Sequence, residues 1–180
     1  MSAGPRILLI SGSLRSGSTN TAVLRTALEL DGTNAVLYDG MAELPHFNPD
    51  HDLEGQPVHP AVAKLRAQIT GADALLICTP EYAGALPGAL KNLLEWTVGD
   101  GCINRKPTAW INASGSPTGA VDAHASLRKV LGYVDAEIVE RACRQIAVPR
   151  QAVGPEGTII DVAIRAQIGA ALTVLGARAG

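Results

Sequence analysis

Four apolar residues in a row, Ile7-Leu8-Leu9-Ile10, run almost directly into Gly12 and a hydroxyl-rich stretch, and this abrupt change constrains the chain more than any other feature. A strand with one face in water alternates apolar and polar residues, whereas one buried on both faces reads as a continuous apolar run. Arg6–Ser11 is therefore predicted as an inner strand. The same signature returns at Ala74-Leu75-Leu76-Ile77-Cys78 and at Ala109-Trp110-Ile111-Asn112-Ala113, with a shorter strand at Asn34–Tyr38.

Between these runs the apolar spacing becomes helical. Ala22, Val23, Ala27 and Leu30 predict a helix over 19–30 closed by Asp31-Gly32, and Val62, Leu65 and Ile69 predict one over 61–70 ending at Gly71. Further helices are expected over 88–98 and 122–131. A last one carries the stripe Ile160, Ile164, Ile168, Leu172 and Leu175, and a fifth strand falls somewhere in 136–147. Alternating strands and helices predict a doubly wound, five-stranded parallel sheet with helices on both faces. No linker or repeat divides the 180 residues, so residues 1–180 are expected to form a single domain.

Composition narrows the partners. Hydrophobic residues are 47% and charged residues 18% of the chain, and the net charge of −2 mixes both signs, so neither nucleic acid nor an anionic membrane is expected to bind. No run of 18 apolar residues and no basic-then-apolar leader over residues 1–6 is present, which predicts a cytoplasmic protein. Cys78, Cys102 and Cys143 are odd in number and far apart, and are read as structural. Small molecules remain as ligands.

In parallel sheets of this kind the ligand lies beyond the carboxyl ends of the strands, so the loops over 12–20, 79–88 and 114–119 are the candidates. The first, Gly12-Ser13-Leu14-Arg15-Ser16-Gly17-Ser18-Thr19, has the glycine spacing of a nucleoside-triphosphate loop but Ser18 in place of its lysine. It also lacks the second glycine of a dinucleotide fingerprint, where Leu14 stands. Hydroxyls, an arginine and a helix start remain, which suit one terminal phosphate. An ordinary helix start capped by Ser18 or Thr19 is the plainer alternative.

The second loop, Thr79-Pro80-Glu81-Tyr82-Ala83-Gly84-Ala85-Leu86-Pro87-Gly88, is stiffened by two prolines, while Gly84 permits close approach or positive φ. A planar ring fits along such a backbone. Tyr82 is one of few aromatic residues, alongside two Trp, two other Tyr and one Phe, and is a candidate to pack beside that ring. Lys91 and Glu95 read as a solvated i,i+4 pair, and Trp96 as core or subunit interface. No serine sits in a nucleophile-elbow frame, and the loop bearing His46, His51 and His59 with Asp50 and Asp52 matches no defined metal spacing, so neither a catalytic triad nor a metal site is assigned.

The first loop through Asn20, the run Thr79-Pro80-Glu81-Tyr82 with Pro87-Gly88-Ala89-Leu90-Lys91-Asn92, and Glu95-Trp96 together resemble the NADPH-dependent FMN reductase family. The likeness extends through Leu44-Pro45, Asn48-Pro49-Asp50 and the loop 114–119, covering roughly residues 6–120. It implies a flavodoxin-like fold. By position, Ser13, Arg15, Ser18, Thr19 and Asn20 would hold the FMN phosphate. Pro80, Glu81, Tyr82, Ala83 and Gly84 would line the isoalloxazine ring, with Ser114, Ser116 and Gly119 at its other side. Many members carry asparagine where this chain has Ala83, which would remove a side-chain hydrogen bond near the ring.

The resemblance further implies electron transfer from NADPH or NADH through FMN to a small acceptor such as a quinone, azo compound, free flavin or metal oxyanion. The flavin carries such chemistry, so no catalytic side chain is assigned. A homodimer or homotetramer is implied, with flavin sites near subunit boundaries suiting Trp96 and the loop of Phe47. The rival readings are a non-enzymatic flavodoxin-type electron carrier, which would be more acidic than −2, and a flavin-binding regulatory domain.

Overall fold

In the computed structural model, which describes residues 4–30 and 34–180, β1 (Arg6–Ser11) takes the inner position its composition predicts. It pairs in parallel with β2 (Asn34–Tyr38) on one side and β3 (Ala74–Cys78) on the other. β4 (Pro107–Asn112) follows β3 and the short β5 (Glu137–Ile138) follows β4, giving the order β2-β1-β3-β4-β5. The chain therefore leaves β1 toward one edge and returns at β3 toward the other. That reversal opens the crevice in which doubly wound sheets take ligands.

The period-two side-chain alternation of the inner strands sends their residues to two cores. On one face Ile7, Leu9, Leu76 and Ile111 meet α1 (Thr19–Glu29) and α5 (Val162–Ala179). On the other, Leu8, Ile10, Leu75 and Ile77 meet α2 (Pro60–Thr70), α3 (Gly88–Glu95) and α4 (Val121–Tyr133). Every apolar position of the β1 and β3 runs is buried, as continuous rather than alternating runs require.

Three expectations about the elements change. The fifth sheet position is shared by two short strands, β5 (Glu137–Ile138) and β6 (Arg144–Gln145), both paired with β4, so the sheet has six strands rather than five. The turn between them buries Ala142 in the α1/α5 core, and the chain leaves the ladder to do so. α3 ends at Glu95 rather than 98, where the Thr97 hydroxyl bonds back to the Leu94 carbonyl at 2.8 Å. α5 starts at Val162 because Asp161 caps it, accepting from the Ile164 N–H at 2.9 Å, so Ile160 lies outside the helix and is exposed. The expected stop at Asp31-Gly32 lies outside the described residues.

Trp96 is fully buried, stands edge-on to Phe47 with ring centroids 5.0 Å apart, and donates its indole N–H to the Pro45 carbonyl at 2.8 Å. It therefore belongs to the chain's own core, one of the two places its sequence context allowed. Asn92 holds the same loop from two sides, donating to Pro45 O and accepting from Phe47 N–H. Further along that loop, Arg66 clamps both oxygens of Asp52 at 2.7 Å, and His59 accepts the Ala61 N–H to cap α2. Asp52 and His59 of the histidine-rich loop thus serve packing and capping. α5 has the length and composition of a membrane-crossing helix, but Ile164, Ile168, Leu172 and Leu175 face the core.

Candidate functional site

The loops after β1 and β3 meet at the strand-order reversal. The Gly12 N–H donates to the Cys78 carbonyl at 2.9 Å, continuing the β1–β3 pairing one residue beyond the strand. Gly12 lies against Thr79 so tightly that a Cβ there would be 2.1 Å from the Thr79 hydroxyl oxygen. Asn20 closes the contact from α1, its side-chain oxygen accepting from the Cys78 thiol at 3.3 Å. Burial pushes that thiol's pKa up, which keeps it a protonated donor.

The first loop is shaped by its own hydroxyls. Ser11 Oγ lies 2.8 Å from Thr21 Oγ1 and accepts the Ser13 N–H, while Ser13 Oγ accepts the Arg15 N–H. Ser13 and Ser18 are buried, Thr19 and Asn20 half-buried, and Leu14, Arg15 and Ser16 exposed. Arg15 folds over the loop, with its guanidinium donating to the Gly17 carbonyl at 3.3 Å. Ser18 occupies the N-cap position of α1 with extended backbone, yet its hydroxyl makes no capping hydrogen bond. The Ser18 cap of the plainer alternative is thus not made. First-turn N–H groups without a cap from Ser18, beside hydroxyls and a cation, form a cradle for an anion.

The second loop contains a tight turn that the sequence only half announces. Tyr82 and Ala85 exchange backbone hydrogen bonds at 3.0 and 3.2 Å across Ala83 and Gly84, whose φ values are 51° and 73°. Two consecutive positive φ values define a hairpin turn whose first corner favours asparagine or aspartate, because L side chains pay a steric penalty there. Ala83 takes that corner. Family asparagine at this position thus has a backbone reason that the expected ring hydrogen bond does not require. The turn projects from the protein, with Tyr82 49% exposed and open space where a Gly84 side chain would be. Pro80 is half-buried at its base.

Glu81 behaves unlike its neighbours. Its carboxylate accepts the Ala123 N–H at 3.0 Å and so reaches the first turn of α4. The third loop, leading into that helix, is bound across its mouth by Asn112, which donates to Gly119 O at 2.9 Å and accepts from Ser114 N–H. Ser114 Oγ in turn accepts the Ser116 N–H, and Gln145 of β6 donates to Pro117 O at 2.7 Å. Gly119 has no room for a side chain, since a Cβ would fall 1.9 Å from Ser114 Oγ. Ser114 is half-buried and Ser116 exposed.

Behind this loop lies His124, buried against Trp110, with Nδ1 2.7 Å from the Ala120 carbonyl. A carbonyl accepts only, so Nδ1 carries the proton. Nε2 is buried without a partner of good hydrogen-bond geometry among the described residues. Burial lowers the His124 pKa against the opposing pull of the Ala120 and Ile111 carbonyls and the Glu81 carboxylate. Asn112, His124 and Gln145 were not foreseen as parts of the site. Asn112 alone had a local signal, as a polar residue closing an apolar strand before a small-residue loop.

The residues expected to act together thus lie on three loops at the same end of adjacent strands. A helix start whose Ser18 makes no cap, with hydroxyls and Arg15, fits a phosphate, and an exposed, hydrogen-bonded hairpin fits the edge of a flat ring. Both requirements of FMN are present.

Comparison with known proteins identifies the family. Residues 5–148 match the model of the NADPH-dependent FMN reductase family. An NAD(P)H-dependent FMN reductase of Pseudomonas aeruginosa is 36% identical over 165 residues, covering 89% of this chain and 88% of the relative. A quinone reductase of Escherichia coli K12 is 30% identical over 182 residues, covering 98% and 96%. Among solved structures, a flavoenzyme NAD(P)H:(acceptor) oxidoreductase from Paracoccus denitrificans superposes with a TM-score of 0.78 at 26% identity. It covers 95% of this chain and 97% of its own.

Proposed function

The chain belongs to the NADPH-dependent FMN reductase family, and on that premise we propose that it is an NAD(P)H-dependent oxidoreductase passing electrons through FMN to a small acceptor. Bound FMN would supply the redox chemistry, taking a hydride from the nicotinamide and releasing electrons to a quinone or similar acceptor. The protein's own groups bind and orient. Ser13, Arg15, Ser18, Thr19 and Asn20 hold the phosphate at the start of α1. Pro80, Tyr82, Ala83 and Gly84 border the ring, with Ser114, Ser116 and Gly119 opposite, and no side-chain acid or base is assigned.

The observation that carries this reading is the meeting of the α1 start, where Ser18 makes no cap, and the Tyr82–Ala85 hairpin across the Gly12–Thr79 contact. Purified protein should bind FMN in preference to FAD and oxidise NADPH or NADH steadily when a quinone is added. Absence of FMN binding would overturn the assignment, and binding without turnover would reduce the chain to an electron carrier.

The reading extends to one FMN-binding domain over residues 1–180, located in the cytoplasm, and to a homodimer or homotetramer. A groove between α3 and α4 where exposed Val98 and Tyr133 lie beside Val130, rimmed by Lys91, Glu95 and Lys129, supports association. Light scattering at micromolar concentration tests it, and a monomer there removes this part of the reading.

A further inference from the structure

α4 begins without the residue a helix start normally needs. Its N-cap is Ala120, with φ 60° and ψ 22°, which has no side-chain oxygen to accept the first-turn N–H groups. The missing acceptor arrives from 42 residues upstream, where Glu81 Oε2 takes the Ala123 N–H at 3.0 Å. Ala123 is fully buried, so its N–H has little access to water. The helix dipole favours the negative charge at this end. Glu81 stands next to Tyr82, the first residue of the hairpin, while Ala120 ends the loop that Asn112 and Gln145 tie down.

We propose that Glu81 is a positioning residue: its carboxylate bolts the hairpin loop to the start of α4, fixing the gap between the two walls that receive the ring. Its side chain acts through α4 and leaves ring contact to its neighbours. This rests on the flavin reading above and deepens it, since it gives the Glu81 side chain a bond inside the protein that sets the ring-lining loop in place.

Glu81→Gln and Glu81→Ala separate the two roles, because glutamine keeps an oxygen that accepts the Ala123 N–H but loses the charge. Titration with FMN and with riboflavin should find Glu81→Gln within about threefold of wild type, and Glu81→Ala about tenfold weaker for both ligands, the scale of one helix cap. Equal losses are expected because the phosphate site is untouched. The midpoint potential of bound flavin should be the same in Glu81→Gln as in wild type. In the flavin-free protein, amide exchange at Ala123 and Ala85 should quicken in Glu81→Ala alone.

Unchanged flavin affinity and exchange in Glu81→Ala would overturn the proposal. So would a shifted potential in Glu81→Gln, which would place the charge at the ring. If Glu81→Ala fails to fold, the affinity and potential of Glu81→Gln decide. If wild-type protein binds no flavin, the functional reading fails while the exchange measurement still decides the bolt.

Discussion

Gly12 and Thr79 touch so closely that the loops after β1 and β3 are joined only because residue 12 lacks a side chain: a Cβ would sit 2.1 Å from Thr79 Oγ1 and 2.6 Å from its Cβ. Gly12→Ala must push the two loops apart, since neither atom is the far end of a flexible chain. Overpacking of this kind costs about 1–3 kcal/mol. Thermal unfolding should therefore fall by roughly 2–10 °C for a chain of this size, and FMN affinity should fall with it because the phosphate and ring walls separate. A variant with wild-type melting and FMN binding would mean that the contact gives way freely.

Ala83 sits in a left-handed conformation, φ 51°, that costs an L residue about 1–2 kcal/mol. Asparagine tolerates it and glycine is indifferent to it. Ala83→Asn and Ala83→Gly are each expected to stabilise the protein, by about 0.5–1 kcal/mol, read as a rise in the urea midpoint at constant slope. A gain for both variants identifies the backbone as the cause. A gain in flavin affinity for asparagine alone would instead restore the side-chain hydrogen bond first expected at this position.

Arg15 is exposed, and its guanidinium donates to the Gly17 carbonyl. If it serves the phosphate, Arg15→Ala should weaken FMN about tenfold, the low end for a charge-assisted contact in reach of water. Riboflavin, which has no phosphate, should bind as before. The FMN loss should also shrink as salt rises, because screening already weakens the wild-type contact. Equal losses for both ligands would move Arg15 away from the phosphate.

Local pattern made the inner sheet legible, because Ile7-Leu8-Leu9-Ile10 and Ala74-Leu75-Leu76-Ile77-Cys78 can be satisfied only between two layers. It failed at residues 136–147, where each strand is two residues long and the reason for the break, burial of Ala142 against α1 and α5, is tertiary. The same division runs through the site. Ser13, Ser18 and Thr19 announce a phosphate loop by composition, and Gly84 announces a turn. The Glu81–Ala123 bond and the Asn112–Gly119 bond depend on where other segments fold, as does the burial of Trp96, for which no spacing rule exists.

His124 sets a pH dependence whose sign follows from its burial. Its pKa is lowered in the folded protein, chiefly by burial, while in the unfolded chain it lies near the ordinary value of about 6.5. Below that value the unfolded state binds the extra proton more readily, so stability is full above about pH 6.5 and is lost as pH falls through the folded pKa. The groups facing the ring are the Ala120 and Ile111 carbonyls, the Trp110 ring and, at longer range, Glu81. The carbonyls and Glu81 favour the cation, yet burial outweighs them. His124→Phe keeps an aromatic ring against Trp110 and removes the titration, so its unfolding free energy should vary less between pH 7 and 5 than that of wild type. Denaturant melts at half-unit pH steps measure the difference. Parallel curves for the two proteins would show that His124 is protonated equally in both states and carries none of the acid sensitivity.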